Sequence, residues 1–402
     1  MSTQSELADQ LNYPPLSEVR KTLRVKWYRC PVSHERLKEL STRSDKQGWI
    51  QAGGHTGLYL ILATLTIALW AQQAWLAFAL SVWCLGFVAT FFKGTAAHEL
   101  GHGTVFKSRR LNQIFLHAVC LISWWDPYDY GASHTYHHRY TTHLEADREN
   151  VLPLTPSFAP WLMIQLCTLN LFTKPGRNFS KGGFVWNVYL TARTAMGIPS
   201  GHTDIPSQEW LEKLHQDQPV AFRQSVHWSR VLIVFHLSVL LVSAFSGWWV
   251  LTLVISLPSF VANIGSYLLG TTQHCGLPTN SSDFRKNTRS IKLNPALGFL
   301  YWHMNWHMNW HAEHHMYAGV PCYNLKAMAK EIASDMPEPK SLLGAWKEMR
   351  ETWARQKTDP AYAFDRPVPT RGDALSESAD GRPDDGLIDS IGDLAPSGSE
   401  LT

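Results

Sequence analysis

Three short segments of this 402-residue chain hold eight histidines: HELGH at 98–102, HTYHH at 134–138 and HAEHH at 311–315. Within each segment the histidines stand three or four apart, the spacing that lines side chains along one face of a helix. His98 and His102, then His134, His137 and His138, then His311, His314 and His315 are therefore expected to converge on metal. One zinc takes about four ligands, so eight imidazoles suit a larger centre. Imidazole is a good iron ligand, and two non-haem irons that activate oxygen are the expected chemistry. The first segment also reads HExxH, in which Glu99 would be the general base of a zinc protease. Such a protease has no use for two further HxxHH groups.

Other residues could join this centre. His274, in TQHCG at 272–276, is a candidate ninth ligand, against the alternative of a histidine at a membrane interface. Glu99, Glu145, Asp147, Glu149 and Glu313 are carboxylates that could hold imidazole N–H groups, against the alternative of a solvated helix face. His143 stands five residues past His138, off the shared face, and is expected beside the site or at the surface. The run WHMNWHMNW at 302–310 is a four-residue tandem repeat, close to one helical turn. It predicts a stripe of His303, His307 and His311 in which His303 and His307 are spare copies. His307 is kept as a neighbour of the ligands.

The elements that must position these residues are apolar. Residues 50–70 and 74–92 form two apolar runs separated by a short uncharged turn, and 230–246 and 248–269 form two more. Each is near the ~20 residues that cross a bilayer as a helix. The pattern predicts an all-α membrane protein with four transmembrane helices in two hairpins. A helical cap on the cytoplasmic side would carry the di-iron site. Pro258 falls inside the fourth run and is tolerable if neighbours satisfy the freed carbonyl. Two shorter apolar pieces, 114–125 and 160–172, are too short to span and are expected to be interfacial or re-entrant.

Charge sets the expected orientation. Nine Lys or Arg lie between Arg20 and Lys46, and the hairpin tips carry none. The positive-inside rule then puts both termini and every histidine group in the cytoplasm. The expected organisation is a basic N-terminal segment (1–50), a membrane domain (51–356) and a disordered acidic tail (357–402) dispensable for catalysis. Residues 372–402 carry eight Asp or Glu and one Arg.

Composition agrees with a membrane protein and narrows the alternatives. Charged residues are 17 % and there are 18 Trp, a pairing that fits membrane–water interfaces. A net charge of +3 with no basic stripe argues against nucleic-acid binding. The six cysteines form no CxxC pair, which excludes a zinc ribbon or a fused rubredoxin. They are expected to be free thiols in a reducing compartment. The N-terminal 50 residues hold no apolar signal-peptide core.

HELGHGTVF at 98–106, HTYHH at 134–138 and HAEHHMYAGVPCYNL at 311–325 resemble the three histidine boxes of the membrane fatty acid desaturase superfamily. The resemblance covers roughly 50–330, including the order of the boxes and the membrane plan. It implies two non-haem irons that activate O2 with electrons from an external donor, and it makes His274 the counterpart of a ligand found before the third box. The duplicated WHMN turn departs from the pattern. The implied reaction is insertion of a double bond into a lipid acyl chain. The alternative on the same scaffold is a hydroxylase, or monooxygenase, of a lipid or other apolar substrate. No HPGG haem motif is present. Electrons are therefore expected from a separate ferredoxin, rubredoxin or cytochrome b5 type of partner. A basic face at Lys107, Arg109 and Arg110 could dock it or contact anionic lipid.

Overall fold

The computed structural model describes residues 14–147, 149, 157–175, 182–200 and 205–369, and it is mostly helical. Two short helices, α1 (Leu16–Thr22) and α2 (His34–Leu40), lead into the long apolar ones. Three helices are long and apolar enough to cross a membrane: α3 (Asp45–Ala71), α4 (Trp75–Gly101) and, further along, α10 (Pro219–Ser246). Between α4 and α10 lie α5 (Arg109–Ile122), α6 (Pro127–Tyr140), α7 (Pro160–Cys167), α8 (Phe184–Ala195) and α9 (Ile205–Asp217).

The long helices present large apolar side chains outward. Leu60, Ile61, Leu76, Leu80, Val234, Leu237 and Phe245 are all at least half exposed. A water-facing helix would be polar there, whereas a bilayer accepts this surface. α3 and α4 pack against each other and join through a short turn at Gln73 (φ 57°). Trp70 at that turn lies 5.4 Å from Trp248, next to the left-handed Gly247 that ends α10. The two turns therefore sit side by side, ringed by Trp70, Trp75, Trp248 and Trp249, as aromatic side chains line a membrane–water interface.

The stretch expected as one span over 248–269 is not one helix. It divides into α11 (Val250–Ile255), a 3-10 turn at Pro258–Phe260 and α12 (Ile264–Gly270). Pro258 removes one backbone donor, and Ala262 takes a left-handed conformation (φ 52°). The freed groups are satisfied by protein. Asn170 N donates to Phe260 O at 2.8 Å, Ala262 N to Thr168 O at 2.9 Å, and the Trp124 indole to Ser256 O at 2.9 Å. Pro258, Ser259, Phe260 and Ala262 are buried. Non-helical backbone at membrane depth is tolerated only when enclosed this way. His236 on α10 completes the enclosure, bonding Ser256 Oγ and Leu121 O at 2.9 Å each and stacking on Trp124.

The chain closes with α13 (Phe284–Asn287), α14 (Pro295–Met304), α15 (His311–Met316), α16 (Leu325–Glu331) and α17 (Leu342–Gln356). Two short parallel strands, β1 (Ile291–Lys292) and β2 (Lys340–Ser341), pair between them. None of the six cysteines forms a disulfide. Residues 357–369, expected to begin the disordered tail, pack instead on the folded body. Phe364 N donates to Gly276 O, and Arg366 is only 8 % exposed. The acidic stretch from 370 onward lies outside the described residues.

Candidate metal centre

Three local devices aim the histidines. The first is a kink in α4. The helix does not run straight out of its apolar stretch: Lys93 is extended (ψ 141°) and Gly94 is left-handed (φ 81°). The helix then restarts and carries His98 and His102 off the original axis. The second is the start of α6. Pro127 occupies the first helical position, and Asp126 accepts from Tyr128 N and Asp129 N at 3.0 and 3.1 Å. The third is a break before α15. Trp306 (φ 48°) and His307 (φ 57°) are left-handed, so the helix ends at Met304 and begins again at His311. The stripe expected of His303, His307 and His311 therefore does not form. Equivalent residues take unlike places: His307 is buried in the left-handed break, whereas His303 is partly exposed in the last turn of α14, against Gly54.

The nine expected ligands come together in two groups. His98, His102, His134, His138 and His314 form one, and His137, His274, His311 and His315 the other. Within each group the candidate ligand atoms all lie within 4.8 Å of one another. No member is more than 5 % exposed. The HxxHH segments do not each serve one group, as a shared helix face had suggested. On α6, His134 and His138 stay together, four apart, while His137 crosses to the second group. On α15, His311 and His315 stay together and His314 crosses to the first. Each helix thus contributes two ligands to one group and one to the other.

Hydrogen bonds fix which ring nitrogen is available. His98 Nδ1 donates to Glu99 Oε1, His134 Nδ1 to Glu149 Oε2 and His137 Nδ1 to Asp147 Oδ2, each at 2.8 Å. His274 Nδ1 donates to Asn287 O at 3.0 Å, and His315 Nδ1 to Thr141 Oγ1 at 3.1 Å. A proton held on Nδ1 leaves the Nε2 lone pair free for metal. Nε2 atoms then face each other across the site. His102 and His134, His137 and His315, and His138 and His314 are 3.2 Å apart, and His274 and His311 3.1 Å. Lone pairs that close repel unless a proton or cation lies between them. Among the described residues the buried His98 Nε2 has no hydrogen-bond partner. Nine nitrogen donors, five of them oriented from behind, fit two bound cations.

Electrostatics agree for most of the set. Burial, reinforced by neighbouring imidazoles, lowers His102 to about 3 and holds His138, His311, His314 and His315 well below the usual histidine range. These rings are neutral, as ligands must be. His137 differs. Burial alone would lower it, but Asp147 and Glu149 outweigh burial and push it up to about 9. A metal ion bound at the second group would have to displace that proton.

The remaining candidates do not converge. Glu313 is buried but accepts from Ser290 Oγ rather than from an imidazole. Glu145 is exposed. His143 packs edge-on to Trp27 and belongs to neither group, and neither His303 nor His307 joins one. Of the five carboxylates, Glu99, Asp147 and Glu149 hold imidazoles. Two supports were missed from sequence, the Asn287 carbonyl and the Thr141 hydroxyl. A backbone carbonyl carries no residue-type signal. Thr141 stands four residues past His137, a spacing that could have been noticed.

No curated protein matches the chain. The family model described as fatty acid desaturase matches residues 73–344, a span that contains all nine histidines of the two groups. The chain belongs to the fatty acid desaturase family.

Proposed function

We propose that the chain is a di-iron oxidoreductase that uses O2, and electrons from a separate carrier protein, to introduce a double bond into a lipid acyl chain. The observation that carries this reading is the pair of buried imidazole groups, five and four strong, within a family whose substrates are fatty acyl chains. His98, His102, His134, His138 and His314 would hold one iron, and His137, His274, His311 and His315 the other. Irons held there would supply the oxidant that breaks unactivated C–H bonds.

The chain's own residues do the rest. Glu99, Glu149, Asp147, Asn287 and Thr141 keep protons on the outer nitrogens, so the inner ones stay available. Burial of all nine rings keeps bulk water from the reactive centre. Tyr130 stacks 4.9 Å from His134 beside Glu149, whose side chain is 18 % exposed, the most open of the three imidazole-holding carboxylates. The HExxH protease reading would need Glu99 as a free base, but Glu99 is fully buried and its Oε1 accepts from His98 Nδ1 at 2.8 Å. The apolar helices lie in the bilayer as a multi-pass unit, including the broken α11–α12 segment as a fourth crossing. The basic N-terminal side and the site face the cytoplasm.

The test is metal analysis of purified protein together with lipid profiling of cells that express it. About two irons per chain and products lighter by two hydrogens are expected. One zinc without iron would reject the di-iron reading. Products gaining one oxygen would make the enzyme a hydroxylase.

A further inference from the structure

Removing two hydrogens from an acyl chain with O2 consumes two more electrons and two protons and yields two waters. A one-electron carrier must therefore dock twice in each turnover. The following inference rests on the oxidoreductase reading above and identifies where that docking occurs.

The segment after α1 runs extended, and its exposure alternates. Leu23, Val25 and Trp27 turn inward and pack on the core, while Arg24 and Lys26 point out and are exposed. Arg29 is exposed as well. Among the described residues no carboxylate pairs with Arg24 or Lys26. The nearby acids are already engaged: Arg285 pairs with Asp283 and Asp335 at 2.9 Å each, and Tyr28 donates to Asp335. Arg24 and Lys26 therefore keep this surface positive.

Beneath this charge lies a packed aromatic path to the metal centre. The partly exposed Trp27 ring stacks on Phe284 at 4.1 Å, with 10° between planes. The Phe284 ring lies 5.6 Å from the His315 ring. Trp27 is held in place by its indole N–H, which donates to Arg139 O at 3.0 Å. The Tyr28–Asp283 bridge, with Tyr28 N donating to Ser282 O at 2.9 Å, ties the two segments together. Two ring-to-ring steps thus link a cationic surface to a ligand of the four-histidine group.

We infer that the Arg24–Arg29 segment is the docking surface for a small acidic one-electron carrier protein, with Trp27 and Phe284 as the path from its redox group to the His315 side of the site. This is a different surface from the Lys107–Arg110 face suggested by charge alone.

The test uses the full chain in nanodiscs and three acidic probes: a plant-type [2Fe–2S] ferredoxin, a rubredoxin and a soluble cytochrome b5 domain, each chemically reduced. At least one should bind the wild type. The double variant R24E/K26E should weaken that binding about tenfold or more at low salt, and the difference should fade at high salt. Iron content should be unchanged. Trp27→Leu should keep the affinity but slow oxidation of the bound carrier in stopped flow, and Trp27→Phe should restore most of the rate. Failure of all three carriers to bind the wild type overturns the inference. So does wild-type affinity in R24E/K26E, or an unslowed Trp27→Leu. If the double variant binds carriers normally but loses thermal stability only in anionic-lipid nanodiscs, the segment is a headgroup surface and the inference fails. Carrier binding is read independently of turnover. A wild type without iron or oxidised lipid would therefore count against the proposed function, not against the docking surface.

Discussion

His137 is the candidate ligand whose position owes most to a single neighbour. It sits on α6 among ligands of the five-histidine group yet serves the four-histidine group. Asp147 Oδ2 accepts both His137 Nδ1 at 2.8 Å and Thr142 N at 2.7 Å, so one carboxylate sets the ring and the left-handed turn that ends the helix. Asp147→Asn keeps the size but loses the charge that favours a proton on Nδ1. Loss of such an orienting partner typically costs about 10–100-fold in metal affinity. If the proposed metal centre is right, chelator titration should find one metal ion released that much more readily in Asp147→Asn, with the other unchanged and with no change in Glu145→Ala, whose side chain is exposed. Equal release of both metal ions would mean that Asp147 supports the fold in general rather than His137. The histidines that cluster were legible in the sequence because HxxHH spacing is itself helical geometry. Their division between two groups was not. A three-residue offset turns a side chain well away from its partner around the helix axis, and the facing helix decides which group it meets.

The elements show the same limit on a larger scale. Apolar length marked α3, α4 and α10, since hydropathy reports burial in lipid without regard to partners. It marked 248–269 equally, and there it missed the break. Pro258 was visible, but the outcome depended on carbonyls and amides at Thr168, Asn170 and Ser256 that sequence cannot place next to it. Close approach of α4 makes that enclosure possible. A Cβ added at Gly86 would come within 2.4 Å of Val261 Cβ and 2.8 Å of Val261 O. Part of that obstacle is backbone, so it cannot swing aside. Gly57 on α3 has nothing within 4 Å of the same added atom. Gly86→Ala should therefore destabilise by about 1–3 kcal/mol through overpacking. Gly57→Ala should be neutral or stabilising by up to ~1 kcal/mol, because alanine is the better helix former. Apparent unfolding midpoints in one detergent, at one scan rate, make the comparison. Matching shifts in the two variants would show that α4 does not need its glycine to reach the broken segment.

Across the whole molecule the site is assembled from segments far apart in the chain, and a buried ion pair secures the most isolated of them. His274 lies on a turn between α12 and α13, away from both HxxHH helices. Arg289, fully buried, donates through Nη1 to the carbonyls of Thr272 and Cys275, which flank that histidine. Its Nε donates to Glu348 Oε1 on α17 at 2.8 Å, and Lys340 on β2 reaches the other carboxylate oxygen. The C-terminal end of the fold thus holds a ligand-bearing turn more than sixty residues earlier. Burial alone would raise the Glu348 pKa, but Arg289, Lys340 and Arg366 outweigh it and lower the value below the ordinary 4.5. A carboxylate depressed in the folded state adds stability that is complete above its unfolded pKa and is lost as pH falls through the folded value. Glu348→Gln leaves Arg289 buried without its counter-charge, which typically costs about 3–5 kcal/mol. At pH 7 the variant should therefore unfold at a clearly lower apparent temperature than the wild type. As pH falls below the ordinary unfolded value and on through the lower folded one, the wild type loses this contribution and the two melting curves should converge. Scans from pH 7 to pH 3 at a fixed heating rate decide the matter. A gap that stays constant across that range would show that Glu348 supports α17 by packing, and that its charge does not secure the His274 turn.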